Sequence, residues 1–251
     1  MRHGRRGTRI AVAVAMELKD RVVLVTGAGR GIGRALAHAF AAEGAHVALQ
    51  GKTRKNLEKV QRELKATAVK TALLAGDVAD EGVVSRCVAA AEQQLGPIDV
   101  LVNNAGIFAT GPVDRMDALV FDRVLAVNLR GPFLMSRSVL PGMKARRRGH
   151  IVNIASTAGR RGFPGGAAYC ASKFGLAGLS EAMRYDTRAF DVRVTCVFPS
   201  SVATDLAREH DAGLDEARAI QPEDVARAVV ALVRMDDRAM TTSLEIWQTN
   251  P

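Results

Sequence analysis

Tyr169 and Lys173 stand four residues apart in AYCASKFG, residues 168–175, a segment with helical spacing. Positions i and i+4 share one helix face, so the ammonium would stand beside the phenol. A fixed positive charge favours phenolate and would draw a phenol of pKa roughly 10 toward neutral pH, where it could move a proton. The plain alternative is an exposed pair on a helix surface. Ser156 ends the run HIVNIAS, thirteen residues before Tyr169. A hydroxyl there can donate a second hydrogen bond to an oxygen the tyrosine serves. Taken alone, Ser156 merely ends a strand.

The elements that must position these groups are legible as alternating runs. RVVLVT (21–26), HVALQ (46–50), VKTALLA (69–75), IDVLVN (98–103), HIVNIAS (150–156), VRVTCVF (192–198) and SLEIWQ (243–248) read as strands, with segments of helical period between most of them. Strand and helix in alternation predict a doubly wound α/β fold: one parallel Rossmann-like sheet of about seven strands, helices on both faces, ligands at the carboxyl ends of the strands.

At 251 residues and 48% apolar composition the chain can bury one sizeable core, and nothing reads as a linker. Residues 16–251 are expected to form one domain. Residues 1–15, MRHGRRGTRIAVAVA, carry four arginines and no acid. They read as a disordered extension or a start placed too early, ahead of a twin-arginine export signal; their apolar run is too short to span a bilayer. Cys87, Cys170 and Cys196 have neither metal-ligand spacing nor an even count, which predicts no metal, no disulfide framework and a reducing, cytoplasmic home. Part of the net charge of +9 belongs to the first fifteen residues. The remainder could attract phosphates or an acidic partner without implying nucleic acid, for which two tyrosines and one tryptophan offer little stacking.

TGAGRGIG, residues 26–33, follows the first strand and opens a helical run. Gly27 permits a tight turn, Gly31 lets a phosphate approach the backbone, and Gly33 allows close helix–strand packing, with the phosphate over a helix N-terminus. Ile32 stands where a literal G-x-G-x-x-G would place its last glycine. A plain strand-to-helix connection or a methyltransferase turn are the alternatives; position in the first βα unit favours a nucleotide. After the second strand the chain reads LQGKTRKN, with Lys52 and Arg54 and no acid, while Arg30 lies in the glycine turn. These cations suit a 2′-phosphate and argue for NADP(H) over NAD(H). A solvated basic run at a helix start is the rival reading.

With these pieces placed, the chain from Met16 onward resembles the short-chain dehydrogenase/reductase family. The motifs are TGAGRGIG, GDV at 76–78, NNAG at 103–106, the asparagine of VNLRG at 127–131, IVNIAS at 151–156 and YCASK at 169–173, six in order. The resemblance implies that Asp77 and Val78 flank an adenine, that Asn104, Ala105 and Gly106 hold the cofactor channel, and that Ser156, Tyr169, Lys173 and Asn128 form the active site. Tyr169 would be the general acid/base as hydride moves between nicotinamide and a carbonyl or secondary alcohol.

Pro132, four residues after Asn128, has no amide hydrogen, so in a continuous helix the Asn128 carbonyl would lack its usual bond. It is expected to hold a water that links Lys173 to solvent. In FPSSVATD, Ser200 follows Pro199 where the family has glycine; Val202 and Thr204 still match the segment facing the carboxamide. Ala155 stands where many relatives have serine.

The substrate loops would be Ile107 to Pro112, Thr157 to Gly166 and Val202 to about Asp215, small or apolar residues with Phe108 and Phe163. They favour a neutral ketone, aldehyde or acyl chain, a 3-oxoacyl thioester among them. Arg130, Arg137 and Arg146 to Arg148 could dock an acidic carrier protein, or form solvated helix ends. Segments 116–145 and 167–190 resemble family helices that pair between subunits, which implies a homodimer or homotetramer. A regulatory protein that binds the cofactor without turnover is the alternative; it would need the pocket but not the acid.

Overall fold

The computed structural model describes residues 16–208, 215–216 and 218–249. The expectations for residues 1–15 lie outside the described residues. Seven strands form one parallel sheet: β1 (Val22–Thr26), β2 (His46–Gly51), β3 (Thr71–Ala75), β4 (Ile98–Asn103), β5 (Gly149–Ile154), β6 (Val192–Pro199) and β7 (Ser243–Ile246). The order is β3-β2-β1-β4-β5-β6-β7. It reverses between β1 and β4, where a doubly wound sheet leaves a crevice.

The helices are α1 (Gly31–Ala42), α2 (Arg54–Leu64), α3 (Glu81–Leu95), α4 (Ala118–Leu125), α5 (Gly131–Ala145), α6 (Ala167–Thr187), α7 (Asp205–Arg208) and α8 (Pro222–Val233). Side chains alternate across a strand, so both faces of each apolar run find partners. Val23 and Val25 pack with Leu36 and Phe40 of α1, Leu57 of α2 and Val229 of α8. Val22 and Leu24 pack with Val84 of α3 and Leu134 and Val139 of α5 on the other face. Such two-sided burial makes β1 VVLVT without polar alternation.

Several helix starts are capped by the chain itself. Asp80 accepts from the Val83 amide at 2.8 Å, and Asp117 from the Leu119 amide at 2.8 Å. The start of α1 differs: Arg30 provides no side-chain cap and the first turn has no acid. Its amide end therefore faces the crevice with no carboxylate of its own first turn to offset the positive dipole.

β1, β3, β5 and β7 are shorter than the runs that predict them, β4 matches its run, and β2 and β6 each extend one residue further. β3 and β7 lie at the two edges with one neighbour each, and their pairing covers only Thr71 to Ala75 at one edge and Ser243 to Ile246 at the other. β5 ends at Ile154, after which Ala155 lines the cleft and Ser156 caps the next turn, its Oγ accepting from the Ala158 amide at 3.1 Å. The segment around Asn128 departs from a continuous α-helix. Between α4 and α5, residues Ala126–Arg130 form a π turn, in which the Gly131 amide donates to the Ala126 carbonyl. The wide turn falls before Pro132, which sits in the first turn of α5, where its missing amide matters least.

Candidate active site

The carboxyl ends of the strands open onto a cleft of about 520 Å³. At its phosphate end, Gly27 and Gly31 have φ of +66° and +51°, a region side chains other than glycine avoid. A Cβ on Gly33 would lie 2.1 Å from the Gly27 carbonyl oxygen, so the first turn of α1 can seat against the turn before it only without a side chain. The loop opposite is fixed by Thr26 and Asn104. Thr26 Oγ1 accepts from the amides of Asn104 and Ala105, both at 2.9 Å, and Asn104 Nδ2 donates to the Thr26 carbonyl at 2.9 Å. This uncapped helix start beside a glycine-rich turn fits the pyrophosphate of a dinucleotide.

Of the residues predicted to bind cofactor, Gly27, Arg30, Gly31, Ile32, Lys52, Asp77, Val78, Asn104, Ala105, Gly106, Tyr169, Lys173 and Thr204 line the cleft. Gly33 packs behind it. Arg54 is not among the lining residues; its Nε pairs with Glu58 at 2.9 Å one helical turn away. Pro199 closes β6 and Val202 is buried in a bridge to Ile220, both outside the lining. Ser200 does not need the glycine that relatives have, because it is not among the residues with positive φ, and its amide donates to the Ile246 carbonyl at 2.8 Å.

Arg123 belongs to none of the sequence motifs, yet it lines the cleft from α4 and closes on the Asp77 carboxylate. Lys52 Nζ lies 3.9 Å from the same carboxylate. Burial pushes the Asp77 carboxyl up, but the Ala79 amide, Arg123 and Lys52 outweigh it and hold the group below its ordinary range. No local pattern could have flagged Arg123, which is 46 positions from Asp77. Gln50, Gly51, Asn56 and Ala155 also line the cleft.

At the other end stand Tyr169 and Lys173, both in the first half of α6. Lys173 is 4% exposed, and its Nζ donates to the Ile154 carbonyl at 2.9 Å. Its charge lies 5.6 Å from the centre of the Tyr169 ring. Burial pulls the Lys173 ammonium down to about 8, opposed by Cys196. Burial pushes the Tyr169 phenol up to about 12, against a hydrogen bond with Ser156 that lowers it. In the protein alone burial is the largest influence on the Tyr169 phenol and raises it, the reverse of the direction expected from Lys173.

Asn128 does not line the cleft. Its side chain reads the backbone of Ile107 in both directions, accepting from its amide and donating to its carbonyl, each at 2.8 Å. Its Nδ2 also lies 3.1 Å from Ser172 Oγ, which donates to the Tyr169 carbonyl at 2.7 Å. Asn128 thus ties the loop after β4 to the helix carrying Tyr169. Phe108, next in that loop, meets the Tyr169 ring edge to face at 4.6 Å, and Phe163 lies nearly parallel to Phe108 at 6.2 Å.

The five arginines that could dock a carrier are engaged within the chain. Arg130 and Arg137 meet Glu81, Arg147 meets Asp191, Arg148 meets Asp99, and Arg146 donates to the Ile98 carbonyl. Arg146 to Arg148 precede β5, at the amino end of that strand and away from the cleft. Among the described residues no helix is long and apolar enough to cross a membrane.

Comparison with known proteins agrees with this geometry. The family model for short chain dehydrogenase matches residues 21–215. The chain is 38% identical over 237 residues to glycine betaine reductase of Emericella nidulans, covering 91% of this chain but only 19% of that longer protein. It is 36% identical over 239 residues to 2-(S)-hydroxypropyl-CoM dehydrogenase 3 of Xanthobacter autotrophicus, covering 90% and 93% of the two chains. The crystal structure of levodione reductase superposes with a TM-score of 0.85 at 32% identity, over 91% of this chain and 96% of that one. With a family match over most of its length and the sheet order to go with it, the chain belongs to the short-chain dehydrogenase/reductase family, nicotinamide-dependent oxidoreductases that interconvert alcohols and carbonyls.

Proposed function

We propose that this oxidoreductase uses NADP(H) and acts on a carbonyl or secondary alcohol of a mainly apolar small molecule, with Tyr169 as general acid and base. The observation that carries the reading is the pairing of Tyr169 with Ser156 and Lys173 at one end of a cleft whose other end is the uncapped start of α1. Arg30 and Lys52 line that far end and suit a 2′-phosphate, with Asp77 already neutralised by Arg123.

When bound, the nicotinamide supplies or accepts the hydride. Ser156 holds the substrate oxygen by a hydrogen bond, and Tyr169 gives that oxygen its proton in reduction or removes it in oxidation. A phenol held up at about 12 keeps its proton at neutral pH, which is the acid form reduction requires. Lys173, at about 8, keeps its charge at pH 7 and favours the phenolate left behind. Asn128 acts by positioning, since it anchors both Ile107 and, through Ser172, the backbone of Tyr169.

The three free, buried cysteines suit a reducing cytoplasm. Exposed Leu119, Val120, Phe133 and Phe174 on α4, α5 and α6 suit a homodimer or homotetramer. A free small molecule is favoured over a carrier-bound thioester, since Arg146 to Arg148 lie at the amino end of β5, away from the cleft.

The test follows NADPH absorbance with ketones, aldehydes and 3-oxoacyl thioesters, alongside NADH and Tyr169→Phe. Consumption that prefers NADPH and falls about 10²–10⁴-fold in the variant, with nucleotide affinity retained, is expected. Turnover that survives the substitution would remove Tyr169 from the acid role; tight NADPH binding with no turnover on any substrate would favour a sensor.

A further inference from the structure

Two loops bring aromatic rings onto the phenol. Phe108, after β4, meets Tyr169 at 4.6 Å between centroids with 62° between planes, and Phe163, after β5, stacks at 6.2 Å and 7° to Phe108. The rings are held rather than merely adjacent. Asn128 fixes the backbone of Ile107, just before Phe108. The Gly111 amide donates to the Gly165 carbonyl at 2.9 Å, joining the two loops. Gly166 lies beneath the Phe163 ring, where a Cβ would come within 2.6 Å of Cζ. Phe163 is 39% exposed, and Phe108 beside it meets Tyr169, which lines the cleft, so the pair stands at the edge of that cleft.

We propose that Phe108 and Phe163 form an aromatic wall that selects substrates with a flat conjugated or aromatic group beside the reacting carbonyl. The proposal rests on the oxidoreductase reading above and names the substrate class for that site. Two rings within 7° of parallel offer a planar group a common direction along which it can lie. A saturated ring or branched chain of the same size meets them only through its edges and loses the aromatic contribution. Phe108 also couples this choice to the chemistry, because the ring that touches the planar group touches Tyr169.

The test compares benzamide with cyclohexanecarboxamide, two non-reducible ligands of matched size, by calorimetric titration into the protein saturated with NADP⁺. Benzamide is expected to bind about fivefold or more tightly. Phe108→Leu and Phe163→Leu are each expected to bring the ratio close to one while nucleotide affinity stays within about twofold. Acetophenone and cyclohexyl methyl ketone give the corresponding turnover comparison, with the change between wild type and variants as the readout. Equal binding of the two amides, no binding of either, or a preference unchanged in both leucine variants would overturn the wall. Failure to bind NADP⁺ would instead count against the oxidoreductase reading. The amides would then be titrated into the free protein, where the same ratio decides. The exposed position of Phe163 makes its variant the safer one for folding, so the comparison does not depend on Phe108→Leu alone.

Discussion

Lys173 gives its proton-bearing nitrogen to the carbonyl of Ile154, at 2.9 Å, deep at the end of β5. A lysine so placed has exchanged bulk water for one backbone acceptor, and its ammonium is pulled down to about 8. The unfolded chain, with an ordinary lysine, binds more protons between pH 8 and the usual value of 10.5. The contribution of Lys173 to stability therefore rises with pH across that window. Tyr169 works the other way: raised from 10.0 to about 12, it contributes stability below pH 10 that is lost as pH climbs toward 12. Lys173→Met should be more stable than wild type at pH 7, on the order of 1–3 kcal/mol, with the gap closing toward pH 10. Urea denaturation at pH 7, 8.5 and 9.5 measures it, and a gap that stays constant would mean that Lys173 is not desolvated in the folded chain.

The side chain of Lys52 is 76% exposed and reaches Asp77 only at 3.9 Å, so it is available to a phosphate at little structural cost. Lys52→Ala should weaken NADPH binding about tenfold, the scale of one charge-assisted contact. NADH affinity should change by less than about twofold, and the NADPH difference should shrink in high salt. Fluorescence titration of both nucleotides at two ionic strengths checks this; equal losses for NADPH and NADH would place the 2′-phosphate elsewhere.

A methyl group on Gly33 would sit 2.1 Å from the Gly27 carbonyl oxygen and 2.6 Å from Asn104 Nδ2. Both neighbours belong to the turn and loop that shape the phosphate end. Gly33→Ala is expected to cost about 1–3 kcal/mol as the backbone moves apart, and to weaken both nucleotides alike. Thermal melts and the same titrations read the two effects; an unchanged Tm with unchanged affinity would show that the turn accommodates the methyl group.

Much of the fold could be read from the chain because its signals are local. Runs such as VVLVT and IDVLVN are buried along their whole length, as their mainly apolar composition requires, and the glycines of TGAGRGIG mark the turn between β1 and α1. Residue types and spacing likewise point to Tyr169, Lys173 and Ser156, since i and i+4 share a helix face. Tertiary structure decided what those groups experience. Whether Lys173 sharpens Tyr169 or both are desolvated depends on what covers them, and Ile154, Cys196 and Ser156 come from other strands and loops. Arg54 and Lys52 look alike in LQGKTRKN, but Arg54 opens α2 and pairs with Glu58 one turn on, whereas Lys52 precedes the helix and stays at the cleft. The Arg123–Asp77 pair and the Phe108–Phe163 stack join residues from separate segments. Such contacts have no period or motif in the sequence, because only the packing of loops at the carboxyl ends of the strands brings their partners together.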